Sequence, residues 1–390
     1  MTRTYQPSLF ETQRLTLDGA IDLSLASLAA YGNQYRHWAL AYSGGKDSSA
    51  TVTCVAWAIQ TGRVPAPASL TVLYADTRME LPPLQRSAMR LLERMTRDGI
   101  RTQVVLPSLN DRFFVYMFGR GVPPPKNRFR WCTAQLKVEP MMHALKALSD
   151  RINIDSEQRE KFLMLTGVRL GESAARDQRI ALSCSKDSGE CGQGWFQSST
   201  DAQIADTLAP LVHWRVCHVW DWLYFGAHGY DEVRDLAVVY GDGDIRTGCT
   251  GCNLVDRDTA LERLVETDEW AHLAPLMALK PLYRELKQPQ HRKRKPGGER
   301  RKDGKPAKNQ QRLGPLTMEA RAFGLARVLD IQARAGVDLI NAEEEARIRE
   351  LWALDTWPNK WTGDEPNGDE PVPRVEVTDA GVLVSQELLV

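Results

Sequence analysis

The stretch Leu40 to Ser49, Leu-Ala-Tyr-Ser-Gly-Gly-Lys-Asp-Ser-Ser, constrains this chain more than any other. Residues 38–42 form a short apolar run of strand character that leads directly into Ser43-Gly44-Gly45-Lys46-Asp47-Ser48. Residues 50–59 then read as a buried helix. Strand, glycine turn and helix N-terminus in this order make a phosphate cradle. The glycines let backbone N–H groups approach an anion closely. The first helical turn adds N–H groups with no intrahelical acceptor and the positive end of the helix dipole. Lys46 supplies a point charge, and Ser43 and Ser48 supply hydroxyls. The spacing is not that of a Walker A loop, so the expected ligand is a nucleotide pyrophosphate held in another geometry. The plain alternative is an ordinary Gly-Gly turn, which does not account for the order of strand, loop and helix.

The rest of the chain predicts the setting of this loop. Residues 70–75, 101–106, 162–168 and 208–212 read as further strands, and residues 81–98 as a helix between two of them. Strands alternating with helices imply an α/β fold, an open parallel sheet with helices on both faces and right-handed crossovers. Ligands of such sheets bind at the C-terminal strand ends. Asp76 stands at such an end, where it either meets the nucleotide and its Mg²⁺ or caps the next helix. Arg169, Glu172, Ser173 and Arg176 follow the 162–168 strand as candidate ATP-site residues, the two arginines and the serine suiting phosphate or carboxylate binding.

Seven cysteines, an odd number dispersed over 390 residues, do not suggest a disulfide framework. They fit a reducing, cytoplasmic setting in which some ligate metal. Cys249-x-x-Cys252 alone suits zinc, an iron–sulfur cluster or a redox dithiol. Cys132, in Arg130-Trp131-Cys132-Thr133, is expected at the N-terminus of a helix starting at Thr133, where the dipole favours a thiolate. Cys54 and Cys217 read as small core residues, and residues 183–200, with Cys184 and Cys191, as a mobile surface loop.

No apolar run approaches the roughly 18 residues that span a bilayer, and residues 1–15 lack a signal pattern. Zero net charge excludes a uniformly basic surface but not local patches. Two such patches are the Pro-rich 119–130 segment, with Arg128 and Arg130, and residues 287–312, with eleven Lys/Arg against two acidic residues. The second, including Arg292, Lys293, Arg294 and Lys295, is expected to be a disordered insertion. Either segment would suit a nucleic-acid backbone or be simply solvated. The expected division is a helical lead-in over 1–37, a nucleotide domain with the cysteines over 38–255, and a helical extension over 256–286. The basic insertion follows over 287–313, then mostly helical structure over 314–356 with Thr317 as an N-cap. Residues 357–390 are a Pro-rich acidic tail or an edge strand.

Ser43 to Ser48 resembles the SGGxDS loop of the PP-loop ATP pyrophosphatases, which implies an adenine nucleotide alpha-hydrolase-like fold and cleavage of ATP to AMP and pyrophosphate. The Cys132 context with Leu136-Lys137 and Pro140, together with Val219-Trp220-Asp221, resembles the branch holding phosphoadenylylsulfate reductases and the DndC/SspD proteins of DNA phosphorothioation. Trp131 stands where the reductases often have the first cysteine of a pair. The wider resemblance, over roughly residues 38–330, is to the DndC-like proteins. It implies ATP and Mg²⁺ as cofactors, catalytic roles for Lys46, Asp47 and Arg169, and a [4Fe–4S] cluster on Cys132, Cys249 and Cys252. The fourth iron would take Cys191 or Cys184, or stay open. The implied partners are DNA, a cysteine desulfurase as sulfur donor and other phosphorothioation proteins. A sulfonucleotide reductase would need a further cysteine, and none follows Cys252 in this sequence. A tRNA thiolase, or a nucleic-acid-binding protein with ATP as a structural ligand, are the other readings.

Overall fold

The computed structural model describes residues 15–390 except 128, 155–158, 173, 185–188, 191–193, 199–203, 228, 242–246, 371–373, 378–382 and 387–390. It divides the chain into two compact units that interleave in sequence. The first comprises residues 1–75, 83–105 and 141–244; the second comprises 76–82, 106–140 and 245–390.

The first unit is built on one sheet. Its parallel strands are β1 (His37–Tyr42), β2 (Ser69–Ala75), β3 (Arg101–Val105), β4 (Phe162–Leu165) and β7 (Ala205–Ala209), in the order β3-β2-β1-β4-β7. Tyr42 is in register with Tyr74 and Leu40 with Leu165. From β1 the chain winds outward through β2 and β3 on one side and through β4 on the other. The C-terminal end of β1 is therefore a topological switch point, where open α/β sheets bind ligands. β7 lies three residues earlier than the sequence suggests, and Pro210, which lacks an N–H, cannot extend the ladder.

Alternation sorts the strand residues between two faces. Ala39, Leu73, Ala75, Phe162 and Ala205 pack with Met141, Ala144, Leu145 and Leu148 of the Glu139–Ile152 helix. On the opposite face Ser49 of α2 (Lys46–Gln60) donates to the Tyr42 hydroxyl. The 183–200 segment differs from its expected form. Its described residues include β5 (Gly189–Glu190) and β6 (Trp195–Gln197), which extend the sheet, β6 pairing antiparallel with β7 and β5 antiparallel with β6. The cause is aromatic: Phe196 stacks on Tyr31 at 4.7 Å, and the Trp195 indole donates to Ser183 Oγ. Cys217 is exposed, contrary to its expected core position, whereas Cys54 is buried.

The second unit is largely helical. Its longest helices, Met318–Ala335 and Ala342–Ala353, start on Thr317, whose Oγ1 accepts from the Ala320 N–H, and on an Asn341/Glu344 capping box. Residues 287–313 are not a disordered insertion. Arg292–Arg294 and Leu313–Leu316 form an antiparallel pair that replaces the expected disorder. Arg292 and Arg294 are buried, and their guanidinium groups donate to the carbonyls of Gly314 and Gly368 and to Gln311. Guanidinium–carbonyl bonds supply the order that an apolar core supplies elsewhere. In the tail, Arg374–Val377 pairs with Leu383–Gln386 as a separate two-stranded ribbon, not as an edge of the main sheet. The described residues include no helix long and apolar enough to cross a membrane.

Candidate functional site: an anion cradle and a thiol cluster

The cradle forms where β1 ends and α2 begins. Gly44 takes φ +74°, a left-handed conformation that glycine adopts without strain, and turns the chain into the helix. The Ser43 N–H donates to Ser48 Oγ at 3.3 Å, and Ser48 Oγ donates back to the Gly45 carbonyl at 3.0 Å. The loop is thus held in shape by its own serines. A Cβ at Gly167 would stand 2.9 Å from the Ser48 backbone, so only glycine lets the β4 turn approach the helix start this closely.

That approach brings Arg169 onto Asp47. Arg169 Nε donates to Asp47 Oδ1 at 2.5 Å, and Lys46 Nζ lies 3.4 Å from Asp47 Oδ2. One carboxylate is shared by two buried cations, leaving net positive charge at the open first turn of α2. Asp47 is occupied as an acceptor for Lys46 and Arg169, and a metal there would have to share it. Sequence reasoning missed one residue of the cradle entirely. The Tyr240 hydroxyl accepts the Lys46 backbone N–H at 3.2 Å, and Lys46 Nζ lies 4.9 Å from the Tyr240 ring centroid. Nothing in the apolar run 236–240 marks it, because its partner is 194 positions away.

The remaining predicted nucleotide residues fare differently. Asp76 belongs to the second unit, where its carboxylate accepts the Arg78 N–H at 2.8 Å and bends the chain to φ +60° at Arg78. This is a local turn bond, not a cap on the helix that starts at Pro82. Glu172 follows the β4 turn and is part-exposed. Ser173 and the Arg176 side chain lie outside the described residues.

The thiols gather in the second unit. The helical segment starts at Trp131, so Cys132 sits in its first turn. The Cys249-x-x-Cys252 turn is closed by the Cys252 N–H donating to the Cys249 carbonyl at 2.9 Å. It is anchored by the Thr250 N–H to Met79 O at 2.6 Å and by the Gly251 N–H to Asp258. Gly251 has φ +65°, and a Cβ there would meet Leu279 at 2.7 Å.

All three residues are free cysteines that keep some exposed surface. Their sulfurs sit in low-dielectric surroundings and act on one another. Burial pushes the Cys249 thiol up to about 11, with Glu80 and the other two thiols adding to the effect and Lys137 opposing it. Burial, then the Cys252 thiol, pushes Cys132 up as well. Burial thus opposes the thiolate expected at Cys132 from its place at a helix start. Lys137 is held above its usual range chiefly by Cys249, then Glu80, Cys132 and Cys252, against desolvation. A buried ammonium therefore faces all three thiols. Tyr283 stands beside Cys249 and Cys252 with its hydroxyl buried and unpartnered among the described residues, its pKa raised by burial and both thiols.

Among the described residues no three His, Cys, Asp or Glu side chains converge on a single-ion position. A cubane takes each thiolate on a different iron. Cys132, Cys249 and Cys252 act electrostatically on one another and on Lys137. The unpartnered Tyr283 hydroxyl and the Lys137 ammonium are donors suited to an anionic sulfur cluster. As a donor set, three soft thiols are chemically suited to such a group. Cys184 ends the Ala174–Cys184 helix with its side chain outside the described residues, and Cys191 lies outside them altogether.

The basic segments divide by burial. Arg130 is exposed and bonds Asn127, Lys293 is part-exposed, and Arg128 lies outside the described residues. Arg292 and Arg294 are buried anchors and cannot contact a nucleic acid. Lys295 pairs with Glu365 at 2.8 Å and stacks over Trp361 at 4.1 Å, so its charge is already engaged.

Comparison with known proteins gives four further findings. The chain is 26% identical over 211 residues to an uncharacterized protein of Methanocaldococcus jannaschii, a match covering 54% of this chain and 40% of that relative's length. It is similar to the phosphoadenylyl-sulfate reductase of Candida auris at 13% identity and TM-score 0.34, covering 60% of this chain and 94% of the other. It is also similar to the U34-tRNA thiolase of Methanococcus maripaludis, solved with its [4Fe–4S] cluster, at 14% identity and TM-score 0.32, covering 69% and 79%. At these scores neither structure bears on the chemistry of this chain. The phosphoadenosine phosphosulfate reductase domain model matches residues 37–252, a span that takes in the Ser43 loop, Arg169 and all three clustered cysteines. On that match, over more than half its length, the chain belongs to the phosphoadenosine phosphosulfate reductase domain family of the PP-loop ATP pyrophosphatase superfamily.

Proposed function

We propose that this protein is an ATP pyrophosphatase that adenylates a backbone phosphate oxygen of DNA so that sulfur can replace it, releasing pyrophosphate and AMP. The observation that carries the reading is the presence, on one chain, of a cationic pyrophosphate cradle and three mutually interacting thiols. A non-bridging DNA oxygen attacks the α-phosphorus of ATP, and the bond from that phosphorus to pyrophosphate breaks. Charge builds on the departing pyrophosphate, where Lys46 and the α2 amides neutralise it. Arg169 holds Asp47 and orients the loop. The persulfide sulfur of a cysteine desulfurase is reduced by two electrons from a thiol reductant to hydrosulfide, which then attacks the DNA phosphorus, and AMP departs with the original oxygen. Mg²⁺ would bind mainly through the nucleotide phosphates.

A [4Fe–4S] cluster held by Cys132, Cys249 and Cys252 would supply Lewis-acidic iron with affinity for sulfur. Lys137 would offset its negative charge, and Tyr283 would donate to it. The setting consistent with this chemistry is the cytoplasm, with other phosphorothioation proteins as partners.

The test is incubation of the anaerobically purified protein with ATP, Mg²⁺, cysteine, a reductant, a cysteine desulfurase and plasmid DNA, followed by nuclease digestion and mass spectrometry. The expected product is phosphorothioate-linked dinucleotide, formed only with ATP and lost in Lys46→Ala. Thiolated bases in tRNA, or sulfite released from a sulfonucleotide, would overturn the reading.

A further inference from the structure

The ordering of residues 287–316 changes which cations can meet a partner. The buried Arg292 and Arg294 fix the base of a two-stranded ribbon, and Gly368 N–H and Arg294 N–H tie that base to the 366–368 segment. Beyond the base the chain turns at 295–298, where the Gly298 N–H donates to Lys295 O, and pairing resumes as a short hairpin over residues 299–310. The Glu299 N–H donates to Gln310 O at 3.0 Å, the Ala307 N–H to Glu299 O at 2.9 Å and the Arg301 N–H to Lys305 O at 2.8 Å. Arg300 and Pro306 form a bridge between them. The turn is Lys302-Asp303-Gly304, closed by the Gly304 N–H donating to Arg301 O, with Gly304 at φ +83°. A three-residue hairpin loop ending in a left-handed glycine is a standard bulged connection.

This ribbon carries Arg300, Arg301, Lys302, Lys305, Lys308 and Arg312, all exposed, against two carboxylates, Glu299 and Asp303. Among the described residues none of the six forms an ion pair. In a chain of zero net charge this is a concentrated, unneutralised cationic projection.

We infer that the ribbon over residues 299–312 is a docking finger for double-stranded DNA, engaging the phosphates on either side of the major groove. Three features choose this partner. Six cations without ion-pair partners complement a polyphosphate backbone. A two-stranded ribbon fits the major groove of B-form DNA, whereas the major groove of A-form RNA is too narrow. The ribbon holds no aromatic residue, so it lacks the stacking platform with which single strands are gripped. The inference rests on the DNA reading above for its substrate and names the surface that presents it.

The test uses the full chain with the six cations changed to Gln, and a milder variant with only Arg301, Lys302 and Lys305 changed. Binding to a 30-base-pair duplex, the matching single strand and a tRNA is followed by fluorescence anisotropy from 50 to 200 mM salt. For the duplex, the plot of log affinity against log salt is expected to be shallower by about three to five in the six-site variant, at about 0.9 for each phosphate no longer neutralised, and by about half that in the triple variant. Pyrophosphate release from ATP without nucleic acid should be unchanged in both, showing that the fold is intact. Unchanged duplex affinity and slope overturn the inference. So does a weakening seen with tRNA or single strands and not with duplex. Loss of duplex binding in the variants of a protein that never forms phosphorothioate would keep the finger and reject the sulfur chemistry.

Discussion

At Asp47 two cations share one carboxylate, and this arrangement decides what substitutions there do. Arg169 is buried, so Arg169→Gln leaves Asp47 with Lys46 alone and removes a charge-assisted bond of about 2 kcal/mol. Calorimetric titration with ATP is expected to show affinity weakened by about ten- to a hundredfold. Arg169→Lys should recover only part of it, because an ammonium cannot reproduce the fork geometry. Equal affinity in wild type and Arg169→Gln would make Arg169 a purely structural residue. The Ser43 to Ser48 loop was legible in the sequence because its chemistry is local: glycine conformations, a helix start and two hydroxyls lie within six positions. Arg169 was legible because a strand end precedes it. Tyr283 was not, since an isolated tyrosine in a helical run carries no mark of the thiols it faces. Tyr283→Phe removes the unpartnered hydroxyl without leaving a cavity. If that hydroxyl bonds a bound cluster, the variant should keep its iron content and shift the cluster reduction potential by tens of millivolts in a redox titration. An unmoved potential would leave the hydroxyl without a role there.

Elements show where composition misleads. Residues 287–312 have the charge and the Pro/Gly content of disorder, and that reasoning assumes order must come from apolar burial. Here it comes from guanidinium groups donating to carbonyls, from Lys295 on Trp361, and from Gly314, where a Cβ would press into the Trp361 ring at 2.1 Å. Such partners are scattered over residues 311–368, so no window of sequence displays them. Arg294→Ala would remove the donors to Gln311 Oε1 and to the Gly368 carbonyl. We expect a local loss of about 2–3 kcal/mol, seen as faster amide exchange across 292–316 with no change in the first-turn amides of α2. Parallel strands were the easiest elements to read, since buried runs bounded by turns fix their positions to within a few residues. The β5 and β6 additions were hidden because they are two and three residues long.

The whole molecule departs most from a linear reading. A sequence suggests contiguous domains, yet each unit here is assembled from three segments. The family match ends at residue 252, which invites truncation there. That cut would remove Leu279 and Tyr283, which pack on Gly251, and Glu344, whose carboxylate lies 3.3 Å from Arg78 Nε and 3.5 Å from the Arg112 guanidinium. A polypeptide of residues 1–252 is therefore expected to aggregate or to melt without a cooperative transition in calorimetry, and its cysteines should alkylate far faster than in the full chain. A cooperative, soluble fragment would show that the second unit does not need its C-terminal segment.

The phenol of Tyr240 gives the cradle a resting occupant. Its oxygen already accepts the Lys46 N–H that an incoming phosphate would want, so nucleotide binding at this amide is an exchange of acceptors and not the filling of a vacancy. This bond adds to those of Ser43 and Ser48 in shaping the loop, and breaking it costs an arriving anion about 1 kcal/mol. Tyr240→Phe should remove that cost and tighten pyrophosphate binding by about fivefold, while a less firmly shaped loop slows turnover. In the proposed reaction pyrophosphate leaves after each cycle, and a tyrosine ready to take its place would favour that release.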